Sequence, residues 1–291
     1  MANLKEIRNR ISSVKTTRQV TSAMKMVSAA KLRRAQDAII QIRPYADKLH
    51  DILSNLTEAL DSNDDNPYSI IKKTGKVLIV AINSNRGLCG GFNANINKQV
   101  SKIIETEYSK DLNSDNLEIL ALGKNAFDFF RRQEISVTEK NDVYNNLTFD
   151  IVAPIVEEIM HLFVKGKYSK VILIYNEFIN AATQNVKTEQ FLPIEEKEQT
   201  NNKINVDYIF EPSKKQIVRE LIPKSLKIQF YKALLESNVS EHGARMTAMH
   251  QATDNATSLL NDLNLQYNKA RQTAITNEIL EIVSGAEALK G

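Results

Sequence analysis

Toward the end of the chain, Met246, Met249, Thr253, Ala256, Leu260, Leu263, Tyr267 and Ala270 follow one another at alternating three- and four-residue steps. That is the a/d spacing of a coiled-coil seam. Residues 224–290 hold no proline and only two glycines, Gly243 and Gly285. The pattern therefore predicts one helix of roughly 100 Å, where a globular helix averages about 11 to 12 residues. After Ala270 the seam slips, and Ile275, Ile279, Ile282, Ala286 and Leu289 restart the same steps on a shifted phase, as in a stutter. A seam needs a partner. Residues 3–60 contain one proline, Pro44, and no glycine, with apolar positions at Leu4, Ile7, Ile11 and Val14, then Val20, Met24 and Val27. Two long helices from opposite ends of the chain are expected to wind together as an antiparallel pair.

Pro44 predicts a kink or a fresh start, because proline removes a helical hydrogen bond and clashes with the preceding turn. The first helix is expected to continue through Leu49, Ile52, Leu53, Leu56 and Leu60, and the polar run 61–67 to end it. From Lys76 the period changes. Val77-Leu-Ile-Val-Ala-Ile82 is an apolar run of strand length, the mark of a strand buried on both faces. Further strands are predicted at 117–122, 135–138, 170–179 and 186–192. Helices fall between them at 93–108, with Ile96, Val100, Ile103 and Ile104 inward, at 124–133, and at 150–165, through Ile151, Ile155, Ile159 and Phe163. Alternating strands and helices predict a Rossmann-like α/β domain with a mainly parallel five-stranded sheet. Residues 195–205 read as a polar loop, and Ser213 as the cap of a helix that Pro223 interrupts. The expected division is an N-terminal shaft helix 1–60, an α/β domain 68–205 and a C-terminal shaft helix 206–291.

Composition narrows this little. The 291 residues are 42% hydrophobic and 25% charged, ordinary for a soluble protein. No apolar run reaches the 18 residues of a membrane span, and the start MANLKEIRNR lacks the apolar core of a signal peptide. The single cysteine, Cys89, has no intramolecular partner. Charge is uneven beneath a net of +3: residues 1–60 carry eleven Lys and Arg against five Asp and Glu, and residues 61–212 carry seventeen against twenty-two. Basic helices suit acidic partners, nucleic acid among them, or a solvated face.

Candidate chemistry is sparse. The loop Arg86-Gly-Leu-Cys-Gly-Gly91 lies between a strand and a helix, where phosphates bind in doubly wound folds. It matches neither GxGxxG nor the P-loop pattern, so a tight turn competes with a nucleotide site. Cys89 is either a nucleophile or a buried structural thiol. His50, His161, His242 and His250 have no metal-ligand spacing, and His161 is expected to be partly buried in its helix. Glu157-Glu158 and Glu195-Glu196 are adjacent rather than convergent. Met1, Met24, Met26, Met246 and Met249 read as seam filling. No catalytic constellation, metal site or cofactor site emerges.

The stretch Asn268-Lys-Ala-Arg-Gln-Thr-Ala-Ile-Thr-Asn-Glu-Ile-Leu-Glu-Ile-Val-Ser-Gly-Ala286 resembles the C-terminal signature of the F-type ATP synthase gamma subunit, with Ile275, Thr276, Glu278, Glu281, Gly285 and Ala286 at its positions. Lys5-Glu-Ile-Arg8 with Ala23-Met-Lys-Met-Val27, and Ala244-Arg-Met-Thr-Ala-Met249 with Ala252-Thr-Asp-Asn255, agree as well. The resemblance implies a non-catalytic rotor of the H+-transporting enzyme, without a cofactor. Its coiled coil would stand inside three alpha and three beta subunits, and its α/β domain on a membrane-embedded ring of c subunits. Epsilon and delta belong to the same complex, and nucleic acid is not a partner. The expected location is the cytoplasmic face of the bacterial plasma (inner) membrane, as a peripheral subunit. Rotation would present different shaft faces to each beta subunit and cycle its nucleotide affinity.

By the same resemblance Arg271 and Gln272 match a pair that hydrogen-bonds a beta-subunit loop, and Met24 a shaft position close to beta. Lys25 follows it where some relatives have an acid. Tyr208 and Glu211 match a Tyr-x-Tyr-Glu segment that meets the c ring, with Phe210 replacing the second tyrosine. Two rival readings are a nucleotide-binding or thiol enzyme using residues 86–91, and a basic nucleic-acid adaptor.

Overall fold

The computed structural model describes residues 4–58, 67–70, 72, 74–114, 116–194 and 214–288. Two helices dominate it: α1 (Leu4–Glu58) and α6 (Lys214–Ala288). Between them lie β1 (Lys76–Ile82), α2 (Phe92–Glu107), α3 (Ser109–Asn113), β2 (Leu117–Leu122), α4 (Lys124–Arg131), β3 (Val137–Glu139), a 3-10 turn (Asn141–Asn145), α5 (Phe149–Val164), β4 (Tyr168–Phe178) and β5 (Gln184–Leu192). The chain divides into two compact units, residues 30–244 and residues 1–29 with 245–291.

In the larger unit the five strands run in the order β3-β2-β1-β4-β5. β1 pairs in parallel with β2 and β4, β2 in parallel with β3, and β5 closes the edge antiparallel to β4. The apolar run of β1 is central, as its composition predicts: Ile79 lies opposite both Ile119 and Ile172, and Leu78 to Ile82 are buried. Alternation along the pleat sends Val77, Ile79 and Ala81 toward α2 and α4, where Ile96, Val100 and Phe130 are buried. Leu78, Val80 and Ile82 face α5 and the first part of α6, with Phe163, Ile222, Leu226 and Phe230. Burial, with Glu189 close by, pushes the Tyr175 phenol far above its ordinary range, and its hydroxyl donates to Glu189 Oε2 at 2.8 Å.

Several expectations change here. α1 continues past Pro44 as expected, whereas α6 begins at Lys214 and runs through Pro223 without the expected interruption. An internal proline costs about 3 kcal/mol, but Ile222 and Leu226 beside Pro223 are buried on the sheet, and packing of this kind outweighs local propensity. The cap expected at Ser213 lies outside the described residues. β3 covers 137–139 rather than 135–138. α5 is rotated from its expected face, burying Val152, Val156, Ile159, Met160 and Phe163 while leaving Ile151 and His161 exposed. His161 is thus a surface group rather than a partly buried one.

The smaller unit is an antiparallel helix pair. Arg8 donates to Tyr267 at 2.9 Å, Thr21 meets Thr253 at 2.9 Å and Lys25 Nζ meets His250 Nδ1 at 3.3 Å, so residues rise on one helix as they fall on the other. The α6 seam is the predicted one, with Met249, Ala256, Leu260 and Leu263 buried. The α1 seam is not. Its strict heptad continues from Leu4, Ile7, Ile11 and Val14 into Arg18, Thr21, Lys25 and Ser28, of which Thr21 and Ser28 are buried. Val20 and Val27 are 52% and 57% exposed, and Met26 points outward with them. An uninterrupted helix keeps one face toward its partner, so the frame cannot slip to collect valines. Its polar centre is satisfied internally: Thr253 Oγ1 donates to Thr21 Oγ1, which donates to the Arg18 carbonyl at 3.1 Å.

Candidate functional site

The Gly-rich loop between β1 and α2 is closed upon itself. Leu88 and Gly90 take positive φ, 62° and 59°, which turns the chain tightly enough to bring Asn93 back beneath Ser84. Asn93 Oδ1 accepts from the Ser84 backbone N–H at 3.0 Å, while its Nδ2 donates to Ser84 Oγ at 2.8 Å and to Cys89 Sγ at 3.3 Å. Ser84 Oγ donates to the Arg86 carbonyl at 2.7 Å. Asn83 donates to Asn97 Oδ1 at 2.7 Å. Asn83, Ser84, Cys89, Asn93 and Asn97 are all buried. The first turn of α2 therefore meets the loop's own amides and hydroxyls. Cys89 is the structural thiol of that network. We expect alkylation of Cys89 in the native chain to be at least a hundredfold slower than after unfolding in urea, and unchanged by ATP, as followed by mass spectrometry.

In doubly wound sheets ligands enter the crevice beyond the carboxyl ends of the strands, where the strand order reverses. Here that place adjoins the ends of β1 and β4, and a turn of α6 fills it. Ser237 Oγ donates to the Ile82 carbonyl at 3.2 Å and Ser240 Oγ to the Asn176 carbonyl at 3.1 Å. Gly243 lies so close to the β4–β5 turn that an added Cβ would stand 3.2 Å from the Ala181 Cα. These contacts disfavour the nucleotide and thiol-enzyme readings of residues 86–91. Among the described residues, no group of three or more His, Cys, Asp or Glu is arranged to hold a metal.

The four residues expected to contact beta subunits fall in two places. Met24 and Lys25 are half-buried on α1, and the Lys25 ammonium lies against His250, whose Nδ1 is also 3.4 Å from Asp254 Oδ2. Arg271 and Gln272 are exposed on α6. Counted along the helix from His250, they are about 30 Å away at 1.5 Å per residue. Tyr208 and Glu211 lie outside the described residues.

The shifted seam expected after Ala270 is an exposed surface instead. Ile275, Ile279, Leu280, Ile282 and Val283 are between 48% and 71% exposed. The restarted heptad there finds no partner among the described residues, because the pairing Arg8 with Tyr267 places the start of α1 opposite the residues around 271. Five large apolar side chains on one exposed stretch of helix mark a surface for another protein. Leu88 is also exposed, by 65%, and is held at positive φ by the buried network beneath it, but a single apolar side chain marks no surface.

A family described as ATP synthase matches residues 3–289. The chain is 54% identical to the ATP synthase gamma chain of Christiangramia forsetii over 291 residues, 100% of both chains. It is likewise 54% identical to that of Flavobacterium johnsoniae, again over 100% of both. A solved structure of the Euglena gracilis mitochondrial ATP synthase (OSCP/F1/c-ring, rotational state 3) contains a chain of similar fold, with TM-score 0.72 and 25% identity, covering 98% of this chain and 94% of that one.

Proposed function

This chain belongs to the ATP synthase gamma-chain family, that of the central stalk of the F-type enzyme, and from that premise we propose that its helix pair turns inside a ring of three alpha and three beta subunits. The observation that carries the reading is the exposed apolar stretch from Ile275 to Val283 at the end of α6. Such a surface is stable only when covered, and an apolar sleeve made by several subunits would cover it at every angle. Arg271 and Gln272, exposed just before that stretch, meet a beta subunit in this reading; Met24 and Lys25 meet beta at a second level. Torque then follows from differential contact: each shaft angle favours a different conformation of each beta subunit. The functional division is 1–60 and 206–291 for the shaft and 68–205 for the α/β domain. Tyr208 and Glu211 contact the c ring, with epsilon alongside and delta in the same complex.

No described helix is long and apolar enough to cross a membrane. The chain is peripheral, reaching the membrane through the c ring, on the cytoplasmic face of a bacterial plasma (inner) membrane. Co-expression with the alpha and beta subunits of its source is expected to give one large complex whose ATP hydrolysis exceeds that of alpha and beta alone. Subunits that remain separate on sizing would reject the reading.

Arg271→Ala is expected to lower ion pumping per ATP by roughly tenfold, since a charged hydrogen bond contributes about 1.5–3 kcal/mol. Its melting temperature should not move, because the side chain is exposed. Pumping per ATP equal to the parent's in reconstituted vesicles would remove Arg271 from the contact.

A further inference from the structure

Arg43 of α1 and Glu236 of α6 are 193 residues apart in sequence and form a two-pronged pair, Nε to Oε1 and Nη2 to Oε2, each at 2.8 Å. The Glu236 side chain is 4% exposed, which places its charge where a carboxylate needs full compensation. The second partner is the sheet itself. Glu236 Oε2 accepts from the backbone N–H of Phe178 at 3.1 Å, at the end of β4, and Arg43 Nη2 donates to the Phe178 carbonyl at 3.4 Å. One carboxylate thus joins both long helices to one strand. The same face of α6 continues with Ser237 on Ile82 and Ser240 on Asn176, while Asn176 Nδ2 donates to the Phe92 carbonyl at 3.2 Å. Three attachments of α6 to the strand ends, through Glu236, Ser237 and Ser240, are therefore polar and directional.

Apolar surfaces resist separation but have no preferred registry beyond shape, whereas hydrogen bonds fix angle and position, and a planar guanidinium on a carboxylate fixes both. The Arg43 side chain is 39% exposed, and an ion pair of which only the carboxylate is buried adds little stability over an apolar pair of like volume. What the pair adds where three elements meet is fixed geometry rather than stability.

Resting on the central-stalk reading, we infer that Arg43 and Glu236 are positioning residues that carry torque between the α/β domain and the two long helices. α1 and α6 each run on without a break from this junction. A twist applied to the sheet reaches both helices through the clamp at once, in fixed phase. Without it the helices remain packed but can yield under load, so the loss appears only when the motor works against a gradient.

The test uses the whole reconstituted complex. The double variant Arg43→Met with Glu236→Met replaces the pair by apolar side chains and is expected to assemble, with melting lowered only by loss of the acceptor for the Phe178 N–H. Its ATP hydrolysis in detergent should stay within twofold, while ion pumping per ATP falls at least threefold, the deficit growing as the opposing gradient is raised. Arg43→Lys, which keeps the charge without the planar fork, should lie between. Pumping per ATP equal to the parent's against the same gradient would overturn the inference. Should the double variant fail to assemble, Glu236→Gln decides: it keeps the shape and an acceptor for the Phe178 N–H, and at least a twofold deficit is expected. A parent-like ratio there overturns the inference equally. If the parent chain itself neither joins alpha and beta nor raises hydrolysis, the central-stalk reading falls first, and the inference with it.

Discussion

Gly123→Ala is expected to destabilise the larger unit by about 4 kcal/mol or more, in the range of the severest single substitutions. Gly123 precedes α4 with φ +128°, and a Cβ there would stand 2.3 Å from the carbonyl oxygen and 2.6 Å from the carbonyl carbon of Asn83. Both are backbone atoms at the end of β1, so no side chain can turn aside. Asn83 is itself fixed, since its backbone N–H donates to the Leu122 carbonyl at 2.9 Å and its side chain to Asn97. Relief would require the end of β1 to move away from β2, opening the network beneath the Gly-rich loop. Thermal unfolding should show a fall of about 10 °C for a unit of this size. Gly87→Ala is the control: nothing lies within 4 Å of its Cβ position, and a change within about 0.5 kcal/mol is expected. Equal melting of the two variants would show that the β1–β2 end is far more compliant than its hydrogen bonds imply.

Replacing Ile275, Ile279 and Ile282 together by Asp is expected to have the opposite signature, leaving the isolated chain unchanged and abolishing assembly. All three are exposed in the chain alone, the last by 71%, so their removal costs the fold nothing. In the complex, burying each isoleucine stabilises by about 1.5 kcal/mol or more. Losing all three weakens association by about 4 kcal/mol, roughly a thousandfold, before the cost of desolvating the carboxylates. Sizing with alpha and beta at micromolar concentration should show free triple variant, while circular dichroism and melting match the parent. Normal assembly would mean that this stretch stays exposed in the complex and that the apolar surface which carries the proposed function lies elsewhere.

The candidate site was partly legible. The sequence singles out the end of α6 through Arg271 and Gln272, while for the Gly-rich loop it leaves a turn and a nucleotide site both open, and the buried contacts of Asn93 with Ser84 and Cys89 favour the turn. Leu88 could not be anticipated, because its positive φ depends on Asn93, Ser84 and Arg86 closing the loop. Nor could the division of the four expected contacts into two places, since Lys25 is drawn to His250, 225 residues away. The filling of the crevice by α6 was equally hidden: a serine at position 237 carries no sign that it will bond Ile82.

Local periodicity determined what one element needs. The α6 heptad, the apolar run of β1, the inward face of α2 and the alternation that builds a mainly parallel sheet all follow from side chains spaced at 3.5, 3.6 or 2 residues, and such spacing acts within a segment. The tertiary structure decided wherever two segments had to agree. The heptad frame of α1 runs through Thr21 and Ser28 rather than Val20 and Val27, because the helix must keep one face toward α6 and its hydroxyls find partners there. Pro223 stays helical because its neighbours are buried on the sheet. Arg43 meets Glu236 because both helices reach the same end of β4. In each case the deciding energy belongs to a contact between residues distant in sequence, which no local pattern can record.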